Sequence, residues 1–293
     1  MVQVTRQPVW RPPPPSSGLA YPSSAPKNLH HSPTQADSFT QGQHFRVLTR
    51  ESGSFRRDLP VFTAEPGVIG FDDSRDGRVE RVDIPNVPGA FLLRGLLSRT
   101  ECAAILRLSE AMGYTEDAPV SLGRDIRQNE NCVWIADSSI IGPIYQRCRH
   151  LLPQEVNGGA VAGLNARWRL YKYRPNDIFR AHTDGAWPGS GVSPSTDQLV
   201  HDMYGDRFSQ LTFVLYLNDD FEGGETSFYL PKGGPIQGIR ATGPVEVFPV
   251  AAEQGAALCF FHGQHPLSPL HEGSLVTSGT KYIVRTDVLY MTQ

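Results

Sequence analysis

Four cysteines in 293 residues (Cys102, Cys132, Cys148 and Cys259), widely spread and without a C-x-x-C pair, exclude a disulfide-built scaffold and favour a reducing compartment. Neither sign of charge dominates: 27 Lys+Arg against 30 Asp+Glu give a net charge of −3, so a strongly basic nucleic-acid binder is not expected. No apolar run is long enough for a membrane span. The first residues, MVQVTRQPVWRPPPPSSGLAYPSS, hold no continuous apolar core of the kind a secretory leader needs, so a cytoplasmic or nuclear protein is expected. There is no internal repeat. With 39% hydrophobic residues, what remains is one main soluble domain.

Proline, by contrast, is abundant and unevenly placed, with eight of 24 falling in the first 36 residues. Residues 1–60 carry seven basic against three acidic side chains, a net of +4, which leaves −7 for the rest of the chain. The expectation is a disordered, solvated tail over 1–60, open to a tail-binding partner through its Arg11–Pro15 polyproline run, then a linker over 61–81 and a single catalytic domain over 82–293.

The stretch from Ile84 reads as a short strand at Ala90–Leu93 and then a helix. Ser98 with Glu101 three residues later is a capping-box pattern, and Gly113 is a stop. A second helix is expected over about Ile141–Leu151, and both helices read as packing supports. From Ala166 the texture changes to short strands (RWRLYKY, SQLTFVLYLN, TSFYL, VEVFPV, AALCFF, KYIVRTDVLY) separated by turn-rich segments. This predicts an α+β, mainly β fold: an antiparallel double-sheet roll with N-terminal helices packed on one sheet. The segment Pro188–Arg207 reads as a long surface loop.

Chemistry concentrates in three places. In YKYRPNDIFRAHTDGAW, His182 and Asp184 are one residue apart, so on an extended strand both leave the same face and could meet one cation. In SQLTFVLYLNDDFEGGETSFY, an apolar strand runs through an acidic turn and Gly223-Gly224-Glu225-Thr226 into another strand. After AALCFF come His262, His265 and His271, with Lys281 ten residues beyond the last. An H-x-D pair, a distant histidine and then a cation fit a mononuclear iron site with three protein ligands and open positions for a cosubstrate and oxygen. Positions ten beyond His262 and His265 hold Glu272 and Leu275, so His271 is the expected distal ligand, while His201, His262 and His265 read as loop or supporting residues. Asp219 and Asp220 are adjacent and read as turn residues, and Cys259 as core.

These motifs, in this order, resemble the Fe(II)- and 2-oxoglutarate-dependent dioxygenases, in particular their prolyl 4-hydroxylase-like branch, over roughly residues 82–293. The resemblance implies a double-stranded β-helix (jelly roll) with His182, Asp184 and His271 as ligands of Fe(II). It implies 2-oxoglutarate and dioxygen as cosubstrates, with ascorbate as an auxiliary reductant. Lys281 would pair with the distal carboxylate of 2-oxoglutarate, Tyr216 would hydrogen-bond that carboxylate, and Tyr173 would lie near the cosubstrate. Arg285, four residues along the strand from Lys281 and on the same face, competes for the carboxylate, since a guanidinium fork suits it equally well. A dianion entering a roll interior needs such a cation. Two departures stand out: Asn176 where relatives often have glycine, and Phe179 where many have a second tyrosine. Arg127, Asn129 and the 188–207 loop are the expected substrate contacts. The implied reaction is hydroxylation of a C–H bond in a peptide or protein, foremost a peptidyl proline. Another side chain, a small molecule, or a non-catalytic roll are the alternatives; no membrane or nucleic-acid partner is expected.

Overall fold

The computed structural model describes residues 3–14, 38–72, 78–118, 126–233, 236 and 243–293. In chain order its first half runs β1 (Val4–Arg6), β2 (Phe45–Glu51), β3 (Leu59–Ala64), β4 (Glu80–Asp83), β5 (Phe91–Arg94), α1 (Arg99–Met112), β6 (Arg127–Gln128), β7 (Glu130–Ile135) and α2 (Ser138–Cys148). Next come β8 (Glu155–Val156), β9 (Gly159–Leu164), β10 (Arg167–Tyr173), β11 (Ile178–His182), β12 (Gly191–Val192), β13 (Leu199–Val200) and β14 (Arg207–Tyr216). The last are β15 (Glu222–Gly223), β16 (Thr226–Pro231), β17 (Val245–Val250), β18 (Ala257–Phe261), β19 (Leu270–Gly273), β20 (Val276–Ser278) and β21 (Lys281–Met291).

Two sheets face each other. The larger is ordered β2-β3-β7-β10-β21-β14-β18-β5-β4, with β9 also pairing β21, and the smaller is β1-β17-β16-β19-β11-β6. This is the expected mixed, mainly β double-stranded β-helix with supporting helices. The period of two along each strand divides the core. On the larger sheet Trp168, Leu170, Leu211, Phe213, Leu215, Val284 and Val288 point to the helices, where they meet Ile105, Leu108, Ile140 and Ile144. The alternate residues Tyr171, Tyr173, Val214, Tyr216, Leu258, Phe260 and Ile283 point into the roll and meet Phe228 and Leu230 of the smaller sheet. Lys281, Arg285 and Asp287 share the inward parity of Ile283, which is how charge reaches the interior.

Helix α1 begins as its sequence dictates: Ser98 Oγ accepts from the Glu101 N–H at 3.1 Å, and Glu101 Oε2 accepts from the Ser98 N–H at 2.7 Å. Gly113 follows the helix with φ of 93°. The second helix starts three residues earlier than expected, because Asp137 caps it by accepting from the Ser139 N–H at 3.0 Å. Its last expected residues form a 3-10 turn, Arg149–Leu151.

The described part of residues 1–60 is ordered, contrary to the expected tail. β1 adds in parallel to the edge of the smaller sheet beside β17, and the Pro13 carbonyl accepts from Arg94 Nη1 at 2.7 Å. β2 and β3 extend the larger sheet. Edge pairing runs through backbone groups and demands little of composition, so proline and charge content did not reveal it. The polyproline run reaches Pro15, which with residues 16–37 lies outside the described residues. The 188–207 segment is not a plain loop: β12 and β13 form a small hairpin within it. Among the described residues no helix is long and apolar enough to cross a membrane.

Candidate metal centre

His182 is the last residue of β11, Asp184 follows in the turn, and His271 lies on β19, opposite His182 in the strand register. Between Phe179 and His182 β11 spends three steps where β19 spends two, from Gly273 to His271. That one-residue bulge lets residues of opposite parity both serve the interior. Phe179 consequently stacks on the His182 ring at 3.5 Å and 13°, so the residue that carries no hydroxyl fixes the imidazole plane instead.

One ligand atom from each of His182, Asp184 and His271 falls within 4.8 Å of the others. His182 Nε2 is 3.7 Å from Asp184 Oδ1, and His271 Nε2 is 3.6 Å from Asp184 Oδ2. A single ion roughly 2.1 Å from each atom fits such a set. Backbone acceptors fix the tautomers that metal binding needs. His182 Nδ1 lies 2.8 Å from the Arg180 carbonyl and His271 Nδ1 3.3 Å from that of Pro269, so each Nδ1 carries the proton and each Nε2 keeps its lone pair. Burial, and then the neighbouring His182, push the His271 imidazole down to about 3, so it is neutral. Burial works against an ionised Asp184, yet the Arg285 guanidinium holds its carboxyl well below the usual range. Two imidazoles and one carboxylate on one side of a cleft are the donor set of a non-haem Fe(II) centre.

The larger sheet anchors that carboxylate. Thr212 Oγ1 donates to Asp184 Oδ2 at 2.6 Å, and Arg285 Nη2 lies 3.3 Å from the same oxygen. Both end on Oδ2, leaving Oδ1 for an ion. Since the Thr212 proton goes to Asp184, its oxygen accepts from His262 Nδ1 at 2.9 Å, and His262 Nε2 accepts from Ser209 Oγ at 2.9 Å. His262 is thus a buried support, whereas His265 stacks on Phe261 and His201 is exposed.

The triad opens onto a cleft of about 460 Å³ that is also lined by Tyr171, Tyr173, Phe179, Thr226, Lys281 and Arg285. The two competing cations separate clearly here. Arg285 is neutralised by Asp184 and by Asp287, whose Oδ1 is 2.7 Å from Nη1. Lys281 is 2% exposed, donates to the Gly224 carbonyl at 2.5 Å, and forms no ion pair among the described residues. Burial, opposed weakly by Glu225, lowers its pKa to about 8. The Gly223-Gly224 step makes room for it. Gly224 has φ of 65°, and a Cβ there would crowd the Lys281 stem at 3.2 Å; at Gly223, with φ of 72°, a Cβ would lie 2.3 Å from the Leu275 carbonyl oxygen. Asn176 adopts φ of 75°, a left-handed geometry that asparagine tolerates.

Tyr173 lines the cleft, and Lys281 Nζ lies 5.4 Å from its ring centre. Tyr216 does not line the cleft: its hydroxyl is buried against Thr226 Oγ1 at 2.9 Å, so Thr226 presents the hydroxyl there. Arg127 stands beside the cleft, hydrogen-bonded to Asn129 Oδ1 at 2.8 Å and to Asn131 Oδ1; Asn129 is buried and braces it. Asp220 accepts from Asn218 as a turn residue, and Cys259 is a buried free thiol. Sequence reasoning missed Thr212 and Thr226. A polar residue at inward parity within an apolar strand, as Thr212 is in SQLTFVLYL, was the available signal.

No protein-family model matches the chain. It is similar to a putative prolyl 4-hydroxylase of Acanthamoeba polyphaga mimivirus, 27% identical over 231 residues, covering 73% of this chain and 82% of that protein. Among solved structures it is similar to the viral collagen prolyl hydroxylase of Paramecium Bursaria Chlorella virus-1 in its 2OG complex, at 18% identity and a TM-score of 0.42, over 73% of this chain and 96% of that one. A prolyl hydroxylase of Trichoplax adhaerens, solved with a hypoxia inducible factor peptide fragment, matches at 16% identity and a TM-score of 0.43, over 70% and 84% of the two chains. The chain thus combines a sequence likeness to a putative prolyl 4-hydroxylase with a His182–Asp184–His271 cluster, the donor set of a mononuclear metal centre, inside a double-stranded β-helix.

Proposed function

We propose that the chain hydroxylates a C–H bond, foremost that of a peptidyl proline, while 2-oxoglutarate is decarboxylated to succinate. The observation that carries this reading is the pairing, in one cleft, of the triad with a buried lysine that has no anion of its own. His182, Asp184 and His271 would hold Fe(II). Bound there, iron supplies the oxidising chemistry that joins decarboxylation of a 2-oxo acid to oxygen insertion.

The chain's own residues bind, orient and exclude water. Lys281 would receive the distal carboxylate of 2-oxoglutarate, with the Thr226 hydroxyl and the Tyr173 ring beside it, and a dianion would offset the cost of burying that ammonium. Arg285 and Thr212 keep Asp184 ionised and its Oδ2 occupied. Phe179, Phe260 and Val214 wall the cleft with apolar surface that excludes water from the reacting centre. The matched mimivirus protein, a putative prolyl 4-hydroxylase, supports proline as the substrate.

The test is succinate formation by the purified chain with Fe(II), 2-oxoglutarate and ascorbate, without substrate and then with a panel of proline-containing peptides. Wild type should form succinate, with at least a tenfold stimulation by one of the peptides, and His182→Ala should form none. A wild-type protein that neither binds Fe(II) nor consumes 2-oxoglutarate would overturn the reading; stimulation by lysyl peptides or free amino acids alone would retain the chemistry and replace the substrate.

A further inference from the structure

A second cleft of about 280 Å³ adjoins the metal cleft and shares Tyr171 with it. Three arginines line it, Arg127, Arg167 and Arg169. Their charges are met very differently. Arg167 is closed off by Glu51 through two contacts of 2.8 and 2.6 Å. Among the described residues Arg127 has only neutral hydrogen-bond partners, the side-chain oxygens of Asn129 and Asn131, and it lies over the Tyr171 ring at 4.5 Å. Arg169 packs against Trp187, its guanidinium carbon 5.1 Å from the ring centre, and forms no ion pair among the described residues.

Arg169 sits beside Arg285 in the strand register, yet both carboxylates in reach of that row, Asp184 and Asp287, are already spent on Arg285. Burial and then the Arg285 charge both push Arg169 below its usual pKa. Two guanidiniums with no carboxylate partner among the described residues, next to a site that would also gather a dication, are costly unless an anion joins them. 2-Oxoglutarate is not that anion. Lys281 pairs in register with Tyr173, whereas Arg285 pairs with Arg169, so the lysine and Arg169 rows are four residues apart, about 13 Å along extended strands. A five-carbon diacid held at Lys281 and at the metal cannot also reach Arg169.

We propose that Arg169 and Arg127, over the Tyr171 face and beneath Trp187, form a carboxylate-binding subsite for the substrate. It rests on the reading of the metal cleft given above and narrows it: the oxidised C–H belongs to a molecule that carries a carboxylate within a few bonds. A planar guanidinium fork matches a planar carboxylate, and the single negative charge of that group offsets part of the excess. Trp187, 38% exposed and three residues beyond Asp184, packs against the Arg169 guanidinium. The carboxylate has two sources, a free or chain-terminal α-carboxylate and an acidic side chain beside the reacting residue.

The experiment measures affinity for acid and amide pairs, by ligand-observed NMR on the full chain loaded with Mn(II) and 2-oxoglutarate. The probes are N-acetyl-proline and its amide, a proline-terminated peptide as acid and amide, and internal-proline peptides flanked by Asp or Asn. In wild type at least one acid should bind ten times more tightly than its neutral partner, and the pair that does so identifies the source. R169Q should reduce that preference to within twofold, and R169K, which keeps charge but not the fork, should lose at least threefold of it. Equal binding of every pair by wild type, or a preference that survives both substitutions in folded protein, overturns the subsite. The two readings fail separately: wild type that consumes 2-oxoglutarate without acid preference defeats the subsite alone. Acid preference without succinate formation defeats the proposed reaction alone.

Discussion

Lys281, costly for the fold because its ammonium is buried, is the cation proposed above to receive 2-oxoglutarate. Its pKa is about 8 when folded against 10.5 for a free lysine, because burial disfavours its charge. The unfolded chain therefore binds the extra proton between those values, and stability should rise with pH through that window. Replacement with methionine should remove the slope and stabilise the protein at pH 7 by on the order of 2–3 kcal/mol, while lowering 2-oxoglutarate affinity at least a hundredfold. Urea unfolding at pH 7 and 10, with calorimetric titration of 2-oxoglutarate, checks both. A K281M variant that is less stable and still binds would show the cation assigned to the wrong residue. If Lys281 receives the carboxylate as proposed, binding needs its ammonium form, so 2-oxoglutarate affinity in wild type should hold below pH 8 and fall as pH rises beyond it. Thr212 acts on the metal side. Thr212→Val removes the donor to Asp184 Oδ2 and orphans His262, and Co(II) affinity should drop about 10–100-fold.

At the scale of elements, the helices hold the larger sheet from outside through an ion pair as well as apolar packing. Arg147 of α2, 1% exposed, meets Glu101 of α1 at 2.9 Å, and the same carboxylate closes the Ser98 capping box. Glu101→Ala should cost about 3–5 kcal/mol because it takes the carboxylate away from a buried guanidinium, whereas Ser98→Ala should cost about 1 kcal/mol. Thermal or urea unfolding separates the two; similar costs would mean that Glu101 acts only as a cap. The capping box was legible because its members are three residues apart. So was the β-roll, since alternation marks the inward and outward faces of long strands such as β14 and β21. The Arg147–Glu101 pair was not, because it joins residues 46 apart whose meeting depends on how two helices lie on a sheet. Nor was β1, three residues long and joined through its backbone. Within the site, motif order singled out His182, Asp184 and His271, the three residues that the roll brings within 4.8 Å of one another. That Arg285 meets two carboxylates was not legible, because only strand register decides which inward neighbour brings one.

For the whole molecule, the roll brings together groups that the chain holds far apart: His182 and Asp184 on one sheet and its following turn, His271 on the neighbouring strand, Lys281 on the opposite sheet. None of these is assembled in the unfolded chain, so ligands that need the assembled site bind the native state alone and stabilise it by mass action. At a free concentration one hundred times its Kd, 2-oxoglutarate should add about 2.7 kcal/mol, which in a chain of this size is a rise in Tm of roughly 5–10 °C. The metal and the diacid meet different residues, and this makes the shifts separable. Mn(II) alone should raise Tm in wild type and in K281M alike. Adding 2-oxoglutarate should raise it further only in wild type, and in His271→Ala both shifts should shrink together. A diacid shift that persists in K281M would place its distal carboxylate elsewhere in the cleft, with Arg285 the remaining cation, and would require that Arg285 give up Asp184 or Asp287 to accept it.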